Sequence, residues 1–186
     1  MFASKPVRWI ALAGLALALP VLAATALKAD AAKSKVTITF KQMNVPVDAQ
    51  FRKFTADIAY DAAKPDASKA NVEIDVASFD LGDPDYNKEV QKKEWFNTAQ
   101  HPKATFVSTQ IKPGAANKLD VSGKLTIKGK TTDVSFPLTV GKDGAAQVFE
   151  GTLPIKRLTY GIGDGEWKDT SIVADEVTIK FRVVAQ

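Results

Sequence analysis

From about Ser34 to the C-terminus, apolar residues recur at every second position, and this alternation constrains the fold more than any other feature. Successive side chains of an extended strand point to opposite faces, so a period of two marks strands buried on one face. Val36, Ile38 and Phe40 alternate with Thr37, Thr39 and Lys41, and Phe54, Ala56, Ile58 and Tyr60 alternate with Thr55, Asp57 and Ala59. Val72, Ile74 and Val76 form a third run, and Thr105–Ile111 a fourth. The pattern continues through Leu119–Ile127, Val134–Val140, Phe149–Ile155 and Val173–Val183, which makes eight predicted strands.

Turn residues fall where these runs stop. Pro65 lies in the segment after Tyr60, Lys112-Pro-Gly-Ala115 is a turn, and Lys128-Gly-Lys130 and Gly141-Lys-Asp-Gly144 read as hairpins. One helix is predicted from Asp83, a capping residue followed by Pro84, to about Phe96, with Lys92 and Lys93 near its C-terminal end. It separates strands three and four. A short helical or irregular stretch, Leu158–Asp169, precedes the last strand.

Eight antiparallel strands with one apolar face must cover that face and protect two edges. Closure into a barrel does both, leaving an interior filled by side chains or holding one ligand. A two-sheet sandwich is the competing architecture, and the strand count and strand length favour the barrel.

The N-terminal segment has a different character. Lys5 and Arg8 precede the apolar run Ile10–Leu19, and Pro20 and small residues follow, with cleavage-type patterns at Ala24-Thr-Ala26 and Ala29-Asp-Ala31. This is the pattern of a secretory signal peptide within residues 1–31, cleaved between 23 and 31, with a barrel domain over 32–186. An uncleaved anchor is the rival, because no charge occurs between Trp9 and Leu27. Removing Lys5 and Arg8 lowers the formal charge from +4 to +2, and the remaining charges are scattered in sign, so nucleic-acid binding has little support. With no cysteine and the single His101, disulfides, thiolate metal sites and a cysteine nucleophile are excluded, and a Ser-His-Asp centre finds no pattern. Gly161-Ile-Gly-Asp-Gly165 lacks the spacing of a nucleotide-binding loop and reads as a turn. No catalytic residues, cofactor or metal site are predicted.

Three blocks carry a resemblance. Glu94–Thr109, Val121–Lys130 and the segment Lys156–Gly165 through Trp167 to Val177 occur in order, and together they resemble the YceI-like family over roughly Ser34–Ala185. Gln42 and Ala49 stand where relatives often carry His and Gly, and Tyr86-Asn87 where an Arg-Asp pair is common. The resemblance implies an all-β, eight-stranded lipocalin-like barrel in the periplasm that binds a polyisoprenoid lipid. It also allows a homodimer and transient membrane contact, with no interface legible in the residues.

If the alternating face lines a cavity, its bulky members would grip the lipid tail. They are Phe40, Phe54, Ile74 and Leu125, with Phe136, Phe149, Ile179 and Phe181 on the later strands. The same residues could equally fill a core. Phe106 is ambiguous in facing. Trp95, Phe96 and Trp167 lie beside irregular segments and suit a rim, although docking of the helix by Val90 and Trp95 explains them as well. Arg157 and Asp175 are in register with apolar neighbours, so an inward pair could hold a headgroup or be purely structural. The leading reading is a non-enzymatic lipid carrier. Its rivals are an accessory factor or enzyme acting on isoprenoid quinones, and a filled-barrel interaction module without ligand.

Overall fold

The computed structural model describes residues 24–115 and 118–186, so the leader run Ile10–Leu19 lies outside the described residues. The chain forms β1 (Thr25–Lys28), β2 (Lys35–Gln42), β3 (Val45–Phe51), β4 (Phe54–Tyr60), β5 (Lys69–Asp75), β6 (Phe79–Asp80), the helix α1 (Pro84–Glu89), β7 (Lys103–Pro113), β8 (Lys118–Ile127), β9 (Lys130–Asp143), β10 (Ala146–Lys156) and β11 (Val173–Ala185). All strand pairings are antiparallel, in the order β1-β4-β5-β7-β8-β9-β10-β11-β2-β3-β6.

The strand count is eleven, not eight, because two strand paths are broken and one short strand is added. β3 runs into β4 across Arg52–Lys53, and β5 reaches β6 through a 3-10 turn at Val76–Ser78. Phe51 pairs with Phe79 on one side of the corner and Phe54 with Ile74 on the other. Ser78 holds the corner: its carbonyl accepts from the Arg52 amide at 3.1 Å and its hydroxyl from the Lys53 amide at 3.0 Å. With β3–β4 and β5–β6 each taken as one bent path, and β2 paired with both β11 and β3, the sheet curls round on itself as a barrel of eight paths. The two-residue corner also shifts the side-chain parity, so Ala49 and Phe51 before it and Ala56 and Ile58 after it are all buried.

β1 is the addition. Leu27 pairs with Ile58 and is buried, while Ala29 bridges Ala185. β1 thereby seals one barrel end between β4 and β11, and the folded domain starts before residue 32. The helix is shorter than expected. Asp83 caps it through the Asp85 and Tyr86 amides at 2.8 and 3.2 Å, but it stops at Glu89. Beyond Val90 the chain turns, and the Phe96 amide returns to the Val90 carbonyl at 3.0 Å, sending Phe96 into the barrel against Phe51 and Phe79. The stretch before β11 folds as two 3-10 turns, Arg157–Tyr160 and Gly165–Lys168.

Candidate functional site

The barrel is not filled. A cavity of about 450 Å3 runs inward from one end, and a second space of about 130 Å3 lies deeper. Val72, Phe106, Leu125 and Ile179 border both spaces, and their walls are almost wholly apolar. Several of these inward side chains are only partly buried, because one side of each faces empty volume and not a packed neighbour.

The eight residues expected on the inner face all stand there. Phe40 lines the larger space, Ile74, Leu125 and Ile179 line both, and Phe54, Phe136, Phe149 and Phe181 line the deeper one. Phe106 also faces inward. A bulge between Ser108 and Gln110 lets both Phe106 and Ile111 point into the barrel despite their odd spacing. Sequence reasoning missed Phe51 and Phe79, whose rings meet at 4.9 Å on the cavity wall. Phe51 ends β3 and Phe79 opens β6, at the corner where the alternation changes phase.

The open end is built from the β2–β3 hairpin, α1 with its following turn, the β8–β9 hairpin and the β10–β11 connection. Tyr86 and Asp83, both exposed, line the cavity here, so this is where it meets solvent. Trp95 and Trp167 also line it, with ring centroids 5.3 Å apart, which joins two of the predicted rim residues into one cover. The Trp95 Nε1 is buried with no hydrogen-bond partner among the described residues. The loops are cross-tied. The Glu94 carbonyl accepts from the Gly163 and Asp164 amides at 2.9 and 2.8 Å, and Lys128 Nζ donates to the Gly161 carbonyl at 2.6 Å. Burial pulls the Lys128 ammonium below its ordinary pKa.

Arg157 and Asp175 do not make the inward ion pair that was one reading of them. Arg157 is 2% exposed, and its five N–H donors all go to backbone carbonyls. Nε donates to Ala174, Nη1 to Ile162 and Gly163, and Nη2 to Trp167 and Val173, at 2.6–3.1 Å. Burial lowers its pKa and the nearby Asp175 charge opposes the shift. Asp175 accepts the Leu158 amide at 3.0 Å. The guanidinium thus serves as an internal clamp on the mouth loops, with no donor left for a headgroup. Gly163 permits it: a Cβ there would lie 2.2 Å from Nη1, and its φ of +76° suits glycine.

A second clamp positions α1. Asp80 accepts from Asn87 Nδ2 at 2.9 Å, the Gly82 amide at 2.8 Å and Arg52 Nε at 2.6 Å. Asn87 Oδ1 in turn accepts the Leu81 amide at 2.7 Å. Asn87 therefore ties the helix to the barrel at a place where relatives were expected to use a different residue pair.

Comparison with known proteins decides the family. The model of the YceI-like domain matches residues 27–185. This chain belongs to the YceI-like family. The match begins within β1, in agreement with the pairing of Leu27. The crystal structure of Burkholderia cenocepacia BcnA is 56% identical and superposes with a TM-score of 0.83, covering 85% of this chain and 99% of that one. A UPF0312 protein of Azotobacter vinelandii is 34% identical over 139 residues, 72% of this chain and 70% of its own length. A polyisoprenoid-binding domain from Saccharophagus degradans, 19% identical, has the same fold at a TM-score of 0.71 over 86% of this chain and 97% of that one.

Proposed function

We propose that this YceI-like protein is a periplasmic carrier that takes the tail of a polyisoprenoid or similar amphiphile into its barrel. The observation that carries the reading is the 450 Å3 apolar cavity open at one end. The ligand of the Saccharophagus degradans domain of the same fold supports the choice of tail. Each buried five-carbon unit contributes about 4 kcal/mol gross, at roughly 0.8 kcal/mol per CH2-sized group. Immobilising the tail offsets part of this, and two or three units suffice to hold a molecule that water rejects. The mechanism is desolvation in a shaped cavity, with no bond made or broken.

The N-terminal leader supports export. Transient membrane contact is supported by the apolar residues beside the mouth. Met43, Val45 and Tyr86 are each more than 60% exposed, and the Met43 amide is tied to the Ile172 carbonyl at 2.8 Å, next to another exposed apolar side chain. Such a rim would let a tail pass between bilayer and barrel without crossing water.

The mature protein supplies its own probe. Of three tryptophans, Trp9 lies in the leader, and Trp95 and Trp167 meet at a tilt at the cavity mouth. Titrating delipidated mature protein with farnesol should give a saturable, one-to-one change in tryptophan fluorescence. A flat titration contradicts the proposal.

A further inference from the structure

The two spaces inside the barrel are separated by an aromatic shelf. Phe106 on β7, Phe136 on β9 and Phe181 on β11 come from alternate strands, yet their ring centroids are only 5.5 and 5.6 Å apart. Strands two apart in a sheet lie about 9.6 Å from one another, so the rings lean together across the strands between them. Those intervening strands carry glycines beneath the rings. A Cβ on Gly123 of β8 would sit 2.5 Å from the Phe106 ring, and one on Gly151 of β10 would sit 2.3 Å from the Phe181 ring. Five adjacent strands thus contribute to one continuous feature. Phe106 faces both spaces, whereas Phe136 and Phe181 border only the deeper one, which places the shelf at the divide.

We infer that this shelf is the ruler that sets the length of tail the barrel prefers. The inference rests on the lipid-carrier reading. A tail entering at the mouth fills the larger space first and then meets the ring faces. An apolar protein cavity of about 150 Å3 holds one benzene. On that scale the 450 Å3 space takes about three five-carbon units and the 130 Å3 space about one more. A tail that passes the shelf into the deeper space displaces Phe106, Phe136 and Phe181 and so breaks their mutual ring contacts. Affinity therefore climbs with chain length until the tail reaches the shelf, and flattens beyond it.

The test is a titration of delipidated mature protein with all-trans prenyl alcohols of 10, 15, 20 and 25 carbons, read by the Trp95 and Trp167 fluorescence. The wild type should gain at least about tenfold in affinity from 10 to 15 carbons, and less than about threefold for each unit past 15. Phe181→Ala should move that break at least one five-carbon unit longer. Phe181→Leu and Phe106→Leu carry the same comparison with milder loss of packing should Phe181→Ala fail to fold. An unchanged break in variants that keep the wild-type fold by circular dichroism overturns the ruler and leaves the carrier reading standing. Absence of binding for every alcohol, wild type included, removes both.

Discussion

Phe181 occupies the space that a side chain at residue 151 would need. The two residues face each other across the β10–β11 ladder, and a Cβ built on Gly151 would lie 2.3 Å from the ring. Gly151 has no left-handed backbone, so the ring alone stands in the way of a larger residue. Gly151→Ala should cost about 1–3 kcal/mol, as overpacking of a fitted core does. Urea denaturation measures the loss. Combining it with Phe181→Leu should restore much of that stability, and a double variant no better than Gly151→Ala would show that the ring is not the obstacle.

Arg157 offers a different kind of test, because its charge is held by carbonyl dipoles and not by a carboxylate. Arg157→Met keeps the apolar bulk but leaves five acceptors without their donor. We expect a loss of about 3 kcal/mol, since orphaned buried acceptors cost more than an ordinary hydrogen bond gains. Hydrogen exchange should show the loosening concentrated in residues 162–173. Arg157→Lys should recover little, because one ammonium cannot span the five carbonyls. Full recovery by Lys would contradict the clamp.

Asp80 gives the mouth a pH limit. Hydrogen bonds from Asn87, the Gly82 amide and Arg52 lower its pKa from 3.8 to about 2 in the folded protein. A carboxyl depressed on folding stabilises the native state above its unfolded pKa, and that contribution vanishes as pH falls through the folded value. Protection of the α1 amides should therefore hold above about pH 4 and decline between about pH 4 and 2. In Asp80→Asn the decline over that window should disappear. A variant that retains the wild-type pH profile would exclude Asp80 as its source.

The position of Leu27 bears on processing. Leu27 is buried and paired with Ile58, and Ala29 bridges Ala185. Cleavage after Ala31 would remove the strand that seals this barrel end, whereas cleavage after Ala24 or Ala26 keeps Leu27. The mature N-terminus, read by intact mass of secreted protein, should be Thr25 or Leu27. A mature chain beginning at Ala32 would contradict the structural role assigned to β1.

The inner face was largely legible in the residues because alternation reports burial directly. It located all eight of the large side chains assigned to that face, and it failed where local geometry changes the phase. β3 went unread because Pro46 interrupts its pattern and because its hairpin turns on Met43-Asn44, both at positive φ without a glycine. Phe51 and Phe79 went with it. The facing of Phe106 could not be settled without the bulge at Ser108–Gln110. β1 was hidden inside a segment whose composition reads as a leader. The role of Arg157 was illegible for a different reason: its partners are backbone carbonyls, which every residue carries and no sequence pattern marks. Whether the inner face enclosed a core or a hollow was likewise a matter of summed volume across strands far apart in sequence.

The central claim is that the hollow holds a lipid tail. Organic extraction of the protein purified without detergent from its native host, followed by mass spectrometry, tests it most directly. The account predicts a prenyl-chain lipid in near-stoichiometric amount, identifying tail and headgroup together. A reproducibly empty protein, or a stoichiometric ligand lacking a long apolar chain, would contradict it.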